Sequence, residues 1–90
     1  MNYRDLFDLS GRHVLVIGAG SGIGRASAKG LADFGAIVTA ADANLEAARA
    51  TAAELAELGY EASAARVDIT DEGQVAALVD GMPRLDALVC

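Results

Sequence analysis

Four glycines fall within seven residues, Gly18, Gly20, Gly22 and Gly24, in the run Gly-Ala-Gly-Ser-Gly-Ile-Gly. An apolar run, Val14-Leu15-Val16-Ile17, precedes them and an amphipathic stretch follows. A strand that turns through glycine into a helix makes a place for an anion. The bare backbone lets a phosphate approach, and the first N–H groups of the helix point at it. The chemistry implied is the binding of a nucleotide-type cofactor. Two acids, Asp42 and Asp68, stand where later apolar runs end.

These residues need a scaffold, and the hydrophobic pattern supplies one. Residues 13–17 read as a buried strand, too short and too β-branched for a helix. Residues 22–34 read as a helix, with Ile23, Ala26, Ser27, Gly30, Leu31 and Phe34 on its apolar face and Gly35 as terminator. Residues 36–41 read as a second strand leading into Asp42. Asn44 is placed to cap a second helix that turns Leu45, Ala48, Ala52, Leu55 and Leu58 inward and stops at Gly59. Residues 62–67 read as a third strand leading into Asp68. Thr70 is expected to cap a third helix, with Asp71 and Glu72 in its first turn. That helix turns Val75, Leu78, Val79 and Met82 inward and ends at Gly81 and Pro83. Residues 85–90 read as a fourth strand, with Cys90 as a small buried residue in it.

Strand and helix alternate throughout, which implies a parallel sheet. Right-handed crossovers then predict an α/β, Rossmann-type doubly wound sheet with strand order 3-2-1-4. The first two helices should cover one face and the third part of the other. Dinucleotide domains of this type have roughly six strands. Four strands leave an open edge and an under-covered face, so we expect either further polypeptide or another copy of the chain against them.

Composition narrows the class. In 90 residues the formal charge is −6, and the pI is about 4.4. Nucleic acid and anionic membrane both reward clustered Lys and Arg, so neither is an expected partner. No apolar run approaches the roughly 20 residues of a membrane span. The start, Met1-Asn2-Tyr3-Arg4-Asp5, lacks an apolar signal core. A single cysteine, Cys90, excludes an internal disulfide and a cysteine zinc site. A cytoplasmic location is the default expectation.

The common dinucleotide fingerprint G-x-G-x-x-G is missed, because Ile23 or Arg25 stands at its last position. The spacing that fits is G-x-x-x-G-x-G at Gly18, Gly22 and Gly24. With it come Leu9-Ser10-Gly11-Arg12 before the first strand, Asp42 at the end of the second, Val67-Asp68-Ile69-Thr70 after the third and Leu85-Asp86-Ala87-Leu88-Val89 in the fourth. Together these resemble the N-terminal, cofactor-binding half of the short-chain dehydrogenases/reductases. A tight turn alone does not need four glycines, each of which adds chain entropy lost on folding.

The resemblance implies a role for each matched residue. Gly18 permits the sharp turn. Gly22 lets the pyrophosphate come close, with N–H groups near Ile23 as donors, and Gly24 lets the helix pack on the strand. Ser21 either adds a hydroxyl to the phosphate or caps the helix. Asp42 accepts both adenosine ribose hydroxyls and repels a 2′-phosphate. Asp68 bonds the adenine amino group, with Ile69 against the ring. Relatives that use the phosphorylated cofactor carry Arg or Lys where this chain has Ser21 and Ala43, so the implied cofactor is NAD rather than NADP. The implied reaction is hydride transfer between the nicotinamide and an alcohol or carbonyl substrate.

Two departures from the family pattern stand out. Ile17 occupies a usual Thr position, and Cys90 stands where Asn-Asn-Ala-Gly would begin. The family's catalytic Ser and Tyr-x-x-x-Lys are absent: four residues after Tyr3 and Tyr60 lie Phe7 and Ala64. No residue here is assigned a catalytic or metal-binding role, and the 90 residues alone are expected to be inactive. Two other readings compete. S-adenosylmethionine-dependent methyl transfer shares a glycine motif after a strand, but favours an acid where Val16 stands. A non-catalytic half-Rossmann module is suggested by the short sheet.

Overall fold

The computed structural model describes residues 8–90; the expectations for Met1–Asp5 and Tyr3 lie outside the described residues. The chain runs β1 (His13–Ile17), α1 (Gly22–Asp33), β2 (Ile37–Asp42), α2 (Leu45–Glu57), β3 (Ala62–Arg66), α3 (Glu72–Asp80) and β4 (Ala87–Val89). The four strands form one sheet in the order β3-β2-β1-β4. All pairings are parallel, with Val14 opposite both Val38 and Ala87, and Asp42 opposite Arg66. This is the predicted topology.

β1 is central and covered on both sides, so it is a continuous apolar run rather than an alternating one. Val14, Leu15, Val16 and Ile17 are all buried. Successive side chains serve opposite layers. Val14 and Val16 join Val38, Ala40, Ala28, Ala32 and Leu55 under α1 and α2. Leu15 and Ile17 join Ala41 and Val67, with Val75, Leu78, Val79 and Met82 of the α3 region packed against them. The assignment of helices to faces is therefore as expected.

The details differ in places. The buried residues of α1 are Ala28 and Ala32, with Leu31 packed beside them. Ile23 and Phe34 are exposed, as is Ala26. Small alanines, not the large apolar residues, face the sheet because the glycine turn seats the helix close to β1. In α2 the inward set is Ala48, Thr51, Ala52 and Leu55. Leu58 falls at the helix end, on the cap residue, and is exposed.

Thr70 does not cap α3. Its hydroxyl turns back to Oδ1 of Asp68 (2.6 Å), and Asp71 takes the cap position instead, accepting the Gln74 N–H at 3.1 Å. Cys90 lies beyond β4 and is exposed, because only one short helix serves that face of the described residues.

Candidate functional site

The strand-to-helix turn sits where sheet register brings three carboxyl ends together. β1 ends at Ile17, opposite Ala41 of β2. The Gly18 and Ala19 N–H groups both donate to the Ala41 carbonyl, at 2.8 and 3.0 Å, so the turn is tied to its neighbouring strand before the helix begins. Gly18 has φ +82° and Gly22 φ +59°, a region that L side chains rarely adopt. Open space lies over both. Gly24 differs: a methyl built there would run into the Gly18 carbonyl, so the helix can sit this close only on a glycine.

The N-terminus of α1 is open. Ser21 occupies the cap position with extended backbone, but its side chain makes no capping bond. Of the two roles left to Ser21, capping is thus not the one adopted. No acid stands in the first turn of α1. The N–H groups of Gly22, Ile23 and Gly24 have no intrahelical acceptor, as for any helix start. Ile23 is 86% exposed beside them. The arrangement is a positive helix end with room above it, suited to an anion.

Asp42, the last residue of β2, leans over this turn. Its Oδ2 accepts the Gly20 N–H at 2.9 Å and its Oδ1 accepts the Asn44 N–H at 3.0 Å. A carboxylate oxygen offers two acceptor sites, so each oxygen keeps one for a ligand. Two hydroxyls on adjacent carbons match that pair. Gly20, given no role in the sequence reading, proves necessary. A methyl there would lie 2.6 Å from Cβ of Ala47 and 2.8 Å from Oδ2 of Asp42. Its place in the glycine run was visible in the sequence, but the neighbours that exclude a side chain there lie far along the chain.

Asp68 follows β3, next along the same sheet edge. The Val67 N–H donates to the Asp42 carbonyl at 3.1 Å, which links the two acidic ends. Oδ1 of Asp68 accepts both the hydroxyl and the N–H of Thr70, and these bonds hold its carboxyl below the usual carboxylate range. Ile69, 53% exposed, stands beside it at the rim. The structure therefore gathers Gly18, Ser21, Gly22, Ile23, Gly24 and Asp42 around one turn and sets Asp68 and Ile69 one strand away. Among the described residues no cluster of three or more His, Cys, Asp or Glu could hold a metal ion. No described helix is long and apolar enough to cross a membrane.

The sequence profile of the short chain dehydrogenases matches residues 12–90. The chain belongs to the short-chain dehydrogenase family. Sorbitol dehydrogenase of Cereibacter sphaeroides is 46% identical over 85 residues, covering 90% of this chain and 32% of the relative. A 7α-hydroxysteroid dehydrogenase, solved with NADH and 7-oxo glycochenodeoxycholic acid, superposes with a TM-score of 0.90 at 37% identity. That match covers 98% of this chain and 36% of the other. A gluconate 5-dehydrogenase from Burkholderia cenocepacia, in complex with NADP and tartrate, gives a TM-score of 0.86 at 35% identity over 97% of this chain and 36% of the other. The chain spans about a third of the length of the curated relatives it matches. Within the family it aligns with a cofactor-binding region of Rossmann type. These matches support the dehydrogenase reading and not methyl transfer or a non-catalytic module.

Proposed function

We propose that residues 1–90 are the N-terminal portion of an NAD(P)-binding domain and that the cofactor is NAD. A nicotinamide dinucleotide of one kind or the other is the coarser reading, since the solved relatives carry NADH or NADP. The observation that carries the finer one is Asp42: a carboxylate with one acceptor site left on each oxygen, fixed beside an uncapped helix start. It suits the two hydroxyls of an unmodified ribose and repels a 2′-phosphate. Ser21 and Ala43 supply no cation to offset that repulsion.

In this reading the diphosphate rests on the N–H groups near Ile23, with Gly18 and Gly22 leaving room. Ser21 offers its hydroxyl, and Gly24 seats the helix. Asp68 and Ile69 receive the adenine. The bound cofactor supplies hydride chemistry toward an alcohol or carbonyl substrate; these residues bind and orient it, and the proton-transfer groups are not among them. The sheet face beside α3, with Ile69 and Leu88 exposed, is proposed to lie against further polypeptide or a second copy.

The test is calorimetric titration, with NAD and with NADP, of a folded protein that contains this segment together with the residues that complete its sheet. Binding of NAD in preference to NADP is expected, and the Asp42→Asn variant should lose most of that preference. Absence of heat with either dinucleotide overturns the reading, and an unchanged preference in Asp42→Asn overturns the choice of NAD.

A further inference from the structure

Thr51 is the one buried polar residue of the described core, 2% exposed in the middle of α2. It interrupts a run of alanines, Ala50-Thr51-Ala52-Ala53, where alanine is the better helix former. A threonine inside a helix commonly returns its hydroxyl to the carbonyl four residues back. Here the hydroxyl donates instead to the carbonyl of Ala19, at 2.8 Å, across 32 positions of sequence.

Ala19 is fully buried in the glycine turn, and a buried carbonyl without a donor is costly. More is at stake than one bond. The Ala19 carbonyl and the Gly20 N–H belong to a single peptide group. Thr51 holds its oxygen from α2, and Asp42 holds its hydrogen from the end of β2, at 2.9 Å. A peptide next to glycine rotates readily, because no Cβ restrains it. With both ends held it cannot rotate without breaking two bonds. The same clamp fixes Asp42, whose Oδ2 is one jaw.

We propose that Thr51 is a positioning residue of this site: by setting the plane of the Ala19–Gly20 peptide it aims the turn's amides and the Asp42 carboxylate at the dinucleotide. The proposal rests on the cofactor reading above. Thr51 acts through the peptide, by the bond of its hydroxyl to the Ala19 carbonyl.

The test compares Thr51→Val, which keeps the shape and removes the hydroxyl, with Thr51→Ser, which keeps the hydroxyl. NADH affinity is read by fluorescence titration, and exchange of the Gly20 amide hydrogen by NMR on the ligand-free chain. In Thr51→Val the dissociation constant should rise about tenfold and Gly20 exchange should quicken by a similar factor, as for the loss of one buried hydrogen bond. Thr51→Ser should match the parent in both. Unchanged values in Thr51→Val overturn the proposal, as does a Thr51→Ser that behaves like Thr51→Val. If the parent binds no NADH while Gly20 exchange still depends on the hydroxyl, the cofactor reading fails and the clamp stands. Should Thr51→Val not fold, Thr51→Ala, which also removes the hydroxyl and is the better helix former, takes its place with the same expected and overturning results.

Discussion

At the start of α2, Asn44 accepts the Ala47 N–H at 3.2 Å and Glu46 follows in the first turn. At the start of α3, Asp71 accepts the Gln74 N–H and Glu72 follows. The start of α1 has neither device, although Ser21 stands in the right place to provide one. A missing cap costs about 1 kcal/mol, and an absent first-turn acid forgoes roughly 0.3–1 kcal/mol. Two helices take these contributions and the third, at the glycine turn, does not. On the reading proposed above, the difference separates a helix start that serves the fold from one kept open for an anion.

The comparison breaks most severely if α1 cannot reach its seat. Gly24→Ala places a methyl against the Gly18 carbonyl, and a loss of about 3 kcal/mol is expected in urea unfolding, at the upper end for overpacked sites. Ser21→Asp converts the start of α1 into one like those of α2 and α3. Stability should rise by about 1 kcal/mol, while dinucleotide affinity falls about a hundredfold through charge repulsion. A rise in both would show that the open end holds no anion. Asn44→Ala and Asp71→Ala should each lower stability by about 1 kcal/mol and leave dinucleotide affinity as it was.

The smallest effect is electrostatic and lies at the opposite end of the sheet. Asp86 accepts the His13 N–H at 2.8 Å, and that bond, helped by Arg84 and Arg12, holds its carboxyl below the ordinary value. Because the folded state binds this proton less readily than the unfolded one, the stabilisation is present above about pH 4, the ordinary carboxylate range. It is lost as pH falls through the folded value. Asp68, held down by Thr70, adds in the same direction. An acid titration of the melting transition should show a decline below that range, shallower in Asp86→Asn.

Much of this was readable in the residues themselves. The strand order, and the side of the sheet that each helix covers, follow from alternating elements and right-handed crossovers. The glycine turn and both acids are local features, so type and spacing sufficed to find them. What escaped depends on distance in space. The buried stripe of α1 was misplaced because the large residues Ile23 and Phe34 outweigh Ala28 and Ala32 on any hydrophobicity scale. Only the close approach that Gly24 permits makes the small ones the better fit. Gly20 and Thr51 were passed over because their partners, Asp42, Ala47 and Ala19, lie more than twenty residues away along the chain. The exchange of Thr70 for Asp71 as cap turned on a hydroxyl choosing the acid behind it over the helix ahead.

An unfinished helix start has a thermodynamic corollary. On the proposed reading a diphosphate supplies the missing acceptors; it then becomes the last stitch of the native state, and mass action makes that state's melting temperature a gauge of occupancy. At a concentration one hundred times the dissociation constant the gain is about 2.7 kcal/mol, more than a side-chain cap at Ser21 could add. The polypeptide is then at its sturdiest only in company.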